Sequence, residues 1–250
     1  MIRLSQASDF QKINATDPFF TRILSLYECY GEGLDFVTFH TQKEGGVITS
    51  LISRFEDKFS LWLTDESDLE EIVAFVRFQA AGGCLYNAAY SLGFDEDCPC
   101  IGGSILEYTG DDYYSDLEIY QPDFKALYDL LKACESPIFQ VPDYLMFLSD
   151  MTHRNNREKL HLSATDIDGT LASSVMTVSE TDKAAILGAV ATHPDYRRRG
   201  LSRDLVRSLA TELRGEGRRV FVLSASDQNT AFYQHSGFRV IAGFKEIFTV

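Results

Sequence analysis

Apolar positions along this chain alternate between two periods. In the first half, Phe36 to His40 reads as a strand, Gly45-Gly46 as a turn, and Val47 to Phe55 with Phe59 to Leu63 as a hairpin tipped by Glu56-Asp57-Lys58. A helical period then takes over at Leu69, Ile72, Val73 and Val76, with Asp68 standing where an N-cap belongs. Gly82-Gly83 ends that helix, and Cys84 to Ser91 reads as a returning strand. Residues 93–116 are rich in Gly, Asp and Tyr and read as an irregular stretch or linker.

The second half follows a clearer order. Leu117 to Tyr120 reads as a short strand. Asp123 caps a helix carrying Phe124, Leu127, Leu130 and Leu131, stopped by Ser136-Pro137. Asp143 caps another that runs past Met146 and Phe147 towards His153-Arg154. Leu160 to Ala164 and Thr170 to Val178 form a hairpin around Asp166-Ile167-Asp168-Gly169. Ala184 to Thr192 is an apolar strand. Leu201, Leu205, Val206, Leu209 and Leu213 mark one face of a helix ended by Gly215 and Gly217. Val220 to Leu223 is a buried strand, and Asn229 to Ser236 a short helix ended by Gly237. Phe238 to Ile241 and Glu246 to Val250 close the chain as two strands. The pattern predicts an α/β protein with mixed sheets in two domains, residues 1–112 and 113–250.

Charge sharpens that division. The net charge of −14 splits into −13 over residues 1–117 and −1 over 118–250. An acidic balance argues against nucleic acid as a partner, since phosphate binding needs a basic face. No apolar run approaches the roughly 18 residues that span a bilayer, and Met1-Ile2-Arg3-Leu4-Ser5-Gln6 carries no signal-peptide apolar region. Five cysteines at irregular spacing argue against a disulfide framework, and a cytoplasmic location is the expectation. Cys98-Pro99-Cys100 reads as two free thiols in a loop, because no second Cys/His pair stands nearby at zinc spacing.

The chemistry concentrates in one stretch, from Gly188-Ala189-Val190-Ala191-Thr192 through His193-Pro194-Asp195-Tyr196 to Arg197-Arg198-Arg199-Gly200-Leu201-Ser202. A strand runs through a Pro-bearing turn into the start of a helix. The first N–H groups of a helix have no intrahelical partner, and the helix dipole favours negative charge there. A diphosphate suits such a place. Arg203 and Arg207 extend the cluster, and a phosphate-bearing small ligand explains it better than a polynucleotide, because no aromatic side chains are interleaved.

The arginine loop resembles the Gln/Arg-x-x-Gly-x-Gly/Ala loop of the GNAT family of acyl-CoA-dependent N-acyltransferases. About 30 residues later, Asn229-Thr230-Ala231-Phe232-Tyr233 and Ser236-Gly237-Phe238 resemble the family's second signature. The resemblance covers roughly residues 117–250. It implies a GNAT-like mixed sheet splayed where the coenzyme enters. The first half, with a similar rhythm, is expected to be a degenerate copy: Asp65, Glu66 and Asp68 stand where a diphosphate loop would be. The resemblance further implies acetyl-CoA as cosubstrate and a small amine, or a peptide or protein amine, as acceptor. Arg197, Arg198, Arg199, Gly200, Leu201 and Ser202 would meet the diphosphate. Ser202 departs from the family's Gly/Ala but is still small. Val190, Ala191 and Thr192 would pair with the pantetheine arm, with the acyl carbonyl near Val190 and Ala191. Asn229 would contact the arm, and Tyr233 would protonate the departing thiolate.

Each residue also has a plainer reading. Tyr233 can be a core aromatic and Asn229 an N-cap. His193, beside Pro194, reads as a packing residue. Asp166 and Asp168 shape the hairpin, and Glu180 and Asp182 read as solvated. No acid lies on the strand Ala184 to Thr192, so a water-mediated base is expected. The missing base keeps a second reading open, a non-catalytic acyl-CoA-binding module.

Overall fold

The computed structural model describes residues 1–79, 82–94, 98–136 and 139–248. The chain divides into two compact units. One holds Met1–Ile105, Leu223–Asp227 and Val240–Val250, and the other holds Leu106–Val222 and Gln228–Arg239. Both units are discontinuous in sequence, whereas the sequence pattern places a single cut after residue 112.

The first unit contains, in chain order, β1 (Ile2–Leu4), α1 (Ala7–Gln11), α2 (Pro18–Tyr30), β2 (Val37–Glu44), β3 (Val47–Phe55), β4 (Lys58–Leu63), α3 (Leu69–Phe78) and β5 (Gly83–Asn87). These strands are neighbours in numerical order, antiparallel from β1 to β4 and parallel between β4 and β5. The expected strand from Cys84 stops at Asn87 and gives way to a turn. Helix α2 has no counterpart in the sequence reading, although Phe20, Ile23, Leu24 and Tyr27 recur at helical spacing and pack into one apolar cluster. Its start is set by Asp17, whose carboxylate accepts the Phe19 and Phe20 N–H groups at 2.9 and 3.1 Å, followed by Pro18 at the first position.

The chain's last strand completes this unit. The sequence pattern gives two strands, Phe238 to Ile241 and Glu246 to Val250, but the structure makes one, β11 (Phe238–Ile247). Thr249 and Val250 lie outside the described residues. Within the first unit, Phe244 to Ile247 pair antiparallel with Asn87 to Cys84 of β5. Phe244, Leu85, Ile105 and Phe19 pack there as one apolar cluster.

The start of α3 is closed by the chain itself. Asp68 Oδ1 accepts the Glu71 N–H at 3.0 Å, Gln42 Nε2 donates to the Asp68 carbonyl at 3.1 Å, and Ser67 Oγ donates to the Thr49 carbonyl at 2.7 Å. The parallel register of β4 with β5 ends at Ser60↔Leu85, although β4 runs on to Leu63. Past that point the Tyr90 hydroxyl donates to the Leu63 carbonyl at 3.2 Å.

A buried ion pair ties β2 to α1. Asp9 is fully buried, and its carboxylate accepts from Lys43, from the Thr41 hydroxyl at 3.1 Å and from the Gln6 N–H at 3.2 Å. Burial alone would raise the Asp9 pKa, but the bonds from Lys43, Gln6 and Thr41 outweigh it and hold the value below the ordinary 3.8. A carboxyl depressed in the folded state stabilises above its unfolded value and loses that contribution as pH falls through the folded value. Asp9→Asn is therefore expected to cost about 3 kcal/mol near neutral pH, by stranding Lys43. It should also flatten the fall of the melting temperature below about pH 4 that the wild-type chain shows. Melting curves from pH 2.5 to 7 check both.

The second unit takes in the end of β6 (Cys100–Tyr108), then α4 (Phe124–Ala133), α5 (Tyr144–Asn156), β7 (Leu162–Ile167), β8 (Thr170–Glu180), β9 (Ala184–Thr192), α6 (Leu201–Gly215), most of β10 (Arg219–Ser224) and α7 (Asp227–His235). Strand β6 corrects the reading of residues 93–116 as irregular. Its Gly102-Gly103 pair hides the alternation, and Gly103 is needed because a Cβ would come within 2.3 Å of the Ser224 carbonyl. Residues 95–97 lie outside the described residues, as does Pro137 in the stop of α4. The expected strand Leu117 to Tyr120 shrinks to one bridge between Tyr120 and Ala164.

The strand order here is β6-β10-β9-β8-β7. One sheet face meets α6 and α7 through Leu205, Val206, Leu209, Leu213, Ala185, Leu187 and Tyr233. The other meets α4 and α5 through Leu127, Leu130, Phe147, Met151 and Ala191. Each fully buried Leu or Val contributes about 1.5–3 kcal/mol, so α6 is a firmly held support for whatever its N-terminus binds.

Candidate functional site

Strand β9 and helix α6 build the site. Strand β9 pairs in parallel with β10 from Ala184↔Arg219 to Leu187↔Val222, and there the register ends. On its other edge β9 stays paired with β8 as far as Thr192↔Ser173. Past Leu187, then, among the described residues, one edge of β9 has no paired strand, which is where a ligand that can pair like a strand would add.

A bulge accompanies the splay. Gly188 lies opposite Met176 and Ala191 opposite Ser174, so Ala189 and Val190 together face Val175. Ala189 sits at φ +46°, a conformation that costs a non-glycine residue about 1–2 kcal/mol. The bulge shifts the side-chain alternation. Ala185, Leu187 and Val190 pack with the α6 face, while Ala189 and Ala191 pack with the α4–α5 face. The apolar run Ala184 to Val190 carried no signal for it, because side chains buried on both faces do not alternate in polarity.

Gly188 matters for a different reason. A Cβ there would meet Val178 Cγ1 at 2.5 Å. Gly188→Ala is expected to destabilise the fold by about 1–3 kcal/mol through overpacking. Val178→Ala in the same chain should recover most of that loss. Thermal unfolding of the two single variants and the double variant measures the coupling.

After Thr192 the chain makes the predicted turn, a short 3₁₀ helix from Pro194 to Tyr196. His193 Nδ1 accepts the Asp195 N–H at 3.4 Å and its ring packs on Tyr196, so His193 shapes the turn. Arg197 Nε donates to the Thr192 carbonyl at 3.2 Å, and the Arg199 guanidinium lies over the Tyr196 ring. Arg197, Arg198 and Arg199 are all exposed. Arg198 at φ +64° and Gly200 at φ +85° bend the chain into α6.

Gly200, the N-cap of α6, has no side chain to cap it, and no other capping bond is seen among the described residues. This is the reverse of α3, whose start Asp68 closes. Within 4 Å a Cβ at Gly200 would meet only Arg203, at 3.8 Å, so the space above the helix start is open. Leu201 is buried as an anchor and Ser202 is half-buried.

The remaining sequence-selected residues divide. Tyr233 packs in the same cluster as Val190, between Phe232 and Phe238, which places it on the α6 face of the bulge. Burial pushes its hydroxyl up to about 12. Asn229, one turn earlier, is exposed. Asp168 at φ +51° and Gly169 at φ +75° form the hairpin turn, and Asp166 accepts from the Tyr120 hydroxyl.

Glu180 corrects the sequence reading. It is fully buried rather than solvated, with His161 Nδ1 at 2.9 Å and the Thr177 hydroxyl at 3.0 Å. A carboxylate at a strand end reads as exposed until its partners, from distant segments, are known. Asp182 is exposed as expected, and it pairs with Lys159. Two neighbours escaped sequence reasoning. Cys134 Sγ donates to the Thr192 carbonyl at 3.4 Å, and Ser173 Oγ donates to the Ala191 carbonyl at 2.8 Å. Both brace the end of β9 from segments with no motif.

A splayed parallel pair, a bulged strand and an uncapped helix start lie in one run of chain, and that run falls inside a recognised family model. Residues 124–238 match the acetyltransferase (GNAT) family. The C-terminal half carries a GNAT domain. Solved structures extend the likeness in fold to the whole chain. An acetyltransferase of the GNAT family from Colwellia psychrerythraea aligns over 100% of both chains, at 14% identity and a TM-score of 0.62. A GCN5-related N-acetyltransferase from Sphaerobacter thermophilus aligns over 100% of this chain and 95% of its own, at 14% identity and a TM-score of 0.61. A tandem GNAT protein from the clavulanic acid biosynthesis pathway aligns over 94% of this chain and 89% of its own, at 14% identity and a TM-score of 0.58. Among curated proteins, no sequence matches significantly.

The first unit fits the second member of such a tandem. Its order α1, α2, β2, β3, β4, α3, β5 repeats the GNAT domain's α4, α5, β7, β8, β9, α6, β10. Its parallel pair also parts early, at Ser60↔Leu85. Its helix start, though, is capped by the Asp68 carboxylate, unlike the start of α6. Among the described residues, no helix is long and apolar enough to cross a membrane.

Proposed function

We propose that the GNAT domain transfers an acetyl group from acetyl-CoA to a primary amine by direct attack in a ternary complex. One observation carries the reading: the unpaired edge of β9 beyond Leu187 leads directly into an uncapped helix start at Gly200. The first accepts an amide-bearing arm and the second a diphosphate.

In this reading the N–H groups from Arg198 to Ser202 hold the diphosphate. Gly200 permits its approach, Leu201 anchors the helix turn beneath it, and the exposed Arg198 and Arg199 offset its charge. Arg197 braces the loop through Thr192. The pantetheine amides pair with Val190, Ala191 and Thr192, and Asn229 borders the arm. The amine nitrogen attacks the thioester carbonyl carbon, and a backbone N–H at Val190 or Ala191 faces the developing oxyanion. The C–S bond then breaks, and the sulfur takes the Tyr233 hydroxyl proton. The nitrogen's surplus proton returns to the phenolate through water, since β9 bears no acid.

A second reading, an acyl-CoA-binding module without turnover, is favoured by the absence of an acid on β9 and by Ser202. A panel of amines incubated with acetyl-CoA and the protein separates the two. Enzyme-dependent loss of thioester with at least one amine supports transfer. Tight coenzyme binding with no thioester loss across the panel supports the module.

A further inference from the structure

At the opposite end of α6 from the loop, the structure assembles a second group of donors. His161 stands just before β7, and Glu212 and Glu216 lie one turn apart at the C-terminal end of α6. One ligand atom from each of the three comes within 4.8 Å of the others. We propose that His161, Glu212 and Glu216 form a three-ligand site for a divalent transition-metal ion of the zinc type, with Glu180 orienting the histidine.

The histidine is set up for this task. Its Nδ1 faces the buried Glu180 carboxylate at 2.9 Å, which fixes the ring and directs Nε2 outward. A carboxylate behind a ligating imidazole is the usual partner arrangement in metal sites. Nε2 faces Glu216 Oε1 at 3.8 Å, too far for a hydrogen bond and close to the spacing that one shared ion would span. Arg218 occupies the other oxygen of Glu216 and also reaches Glu180 Oε1 at 3.4 Å, so Oε1 of Glu216 is left for the ion.

The placement of the two glutamates supports the same assignment. A helix C-terminus carries the negative end of the dipole and favours cations, yet α6 ends with Glu212 and Glu216 on one face. Arg214 and Arg218 meet part of that charge, but Arg214 is turned to Gly110 and Asp112. A divalent ion bound to both carboxylates would resolve the conflict. Both glutamates are exposed, so drawing their oxygens to about 2.0–2.2 Å from an ion needs only side-chain rotation. One imidazole and two carboxylates suit zinc better than magnesium, which keeps to oxygen ligands. The ion would fasten α6 to the start of β7, with one coordination position left to water. None of this depends on the acyl-transfer reading.

The test is calorimetric titration of the full chain, freed of metal by a chelator, with zinc chloride. One zinc per chain is expected, bound at least tenfold more weakly by His161→Gln and by Glu212→Gln, with magnesium chloride giving no comparable heat. Glu180→Gln should weaken binding about ten- to a hundredfold while leaving the ligands in place. Glu212 is exposed, so its variant keeps the test valid if the histidine variant folds poorly. Absence of stoichiometric zinc binding by the folded wild-type chain overturns the assignment. So does zinc binding that Glu212→Gln leaves unchanged.

Discussion

Tyr233→Phe is expected to lower the acetyl-transfer rate at least tenfold while leaving the dissociation constant of acetyl-CoA unchanged. A positioned general acid contributes about a hundredfold or more, and the phenol belongs to the apolar cluster against which the bulge residue Val190 packs. The substitution removes one oxygen and keeps the ring between Phe232 and Phe238, so the core is preserved. The pH profile gives a second check. With its hydroxyl pushed up to about 12, Tyr233 stays protonated across the working range. The rate should therefore show no fall on the alkaline side below about pH 11 that the phenylalanine variant abolishes. Single-turnover rates at saturating acetyl-CoA, from pH 6 to 10, measure both. An unchanged rate would clear Tyr233 of the acid role.

Gly200→Val should act on binding instead. Gly200 holds φ +85°, a region that costs a residue with a side chain about 1–2 kcal/mol, and a β-branched one more. Its Cβ would also fill the space above the uncapped helix start. Since 1.4 kcal/mol is a factor of ten, acetyl-CoA affinity should fall at least tenfold. Leu201 and Leu205 keep α6 buried, so the melting temperature should change little by comparison. Glycine-to-alanine at the same position separates the two effects, since alanine adds the strain with less bulk.

Much of this site was legible because it is local. The proposed diphosphate loop needs a glycine and a helix start in succession, and residues 197–202 supply both in one run. Tyr233 and Gly237 lie at fixed spacings on one short helix and its end. What escaped the sequence depends on partners far along the chain. Strand β11 reads as two short pieces because nothing within it shows that Phe244 to Ile247 will pair with β5. Helix α2 was legible in principle, since Phe20, Ile23, Leu24 and Tyr27 keep a helical period behind the Asp17-Pro18 start. The bulge at Ala189 and Val190 is a feature of the register between β8 and β9, and no residue type within β9 announces it. Glu180 looked solvated because His161 and Arg218 are 19 residues before it and 38 after it.

The same contrast separates the two copies. Both units bring a parallel strand pair that parts early up to a helix start. Asp68 fills one start and Gly200 leaves the other open. That single difference in capping decides which copy is expected to bind a diphosphate.

Calorimetric titration of the wild-type chain with acetyl-CoA tests this most directly, with Gly200→Val run in parallel. The expected result is one site per chain at micromolar affinity, at least tenfold weaker in the variant. No binding by the folded wild-type chain would contradict the assignment of the site, and so would two equivalent sites or binding indifferent to Gly200.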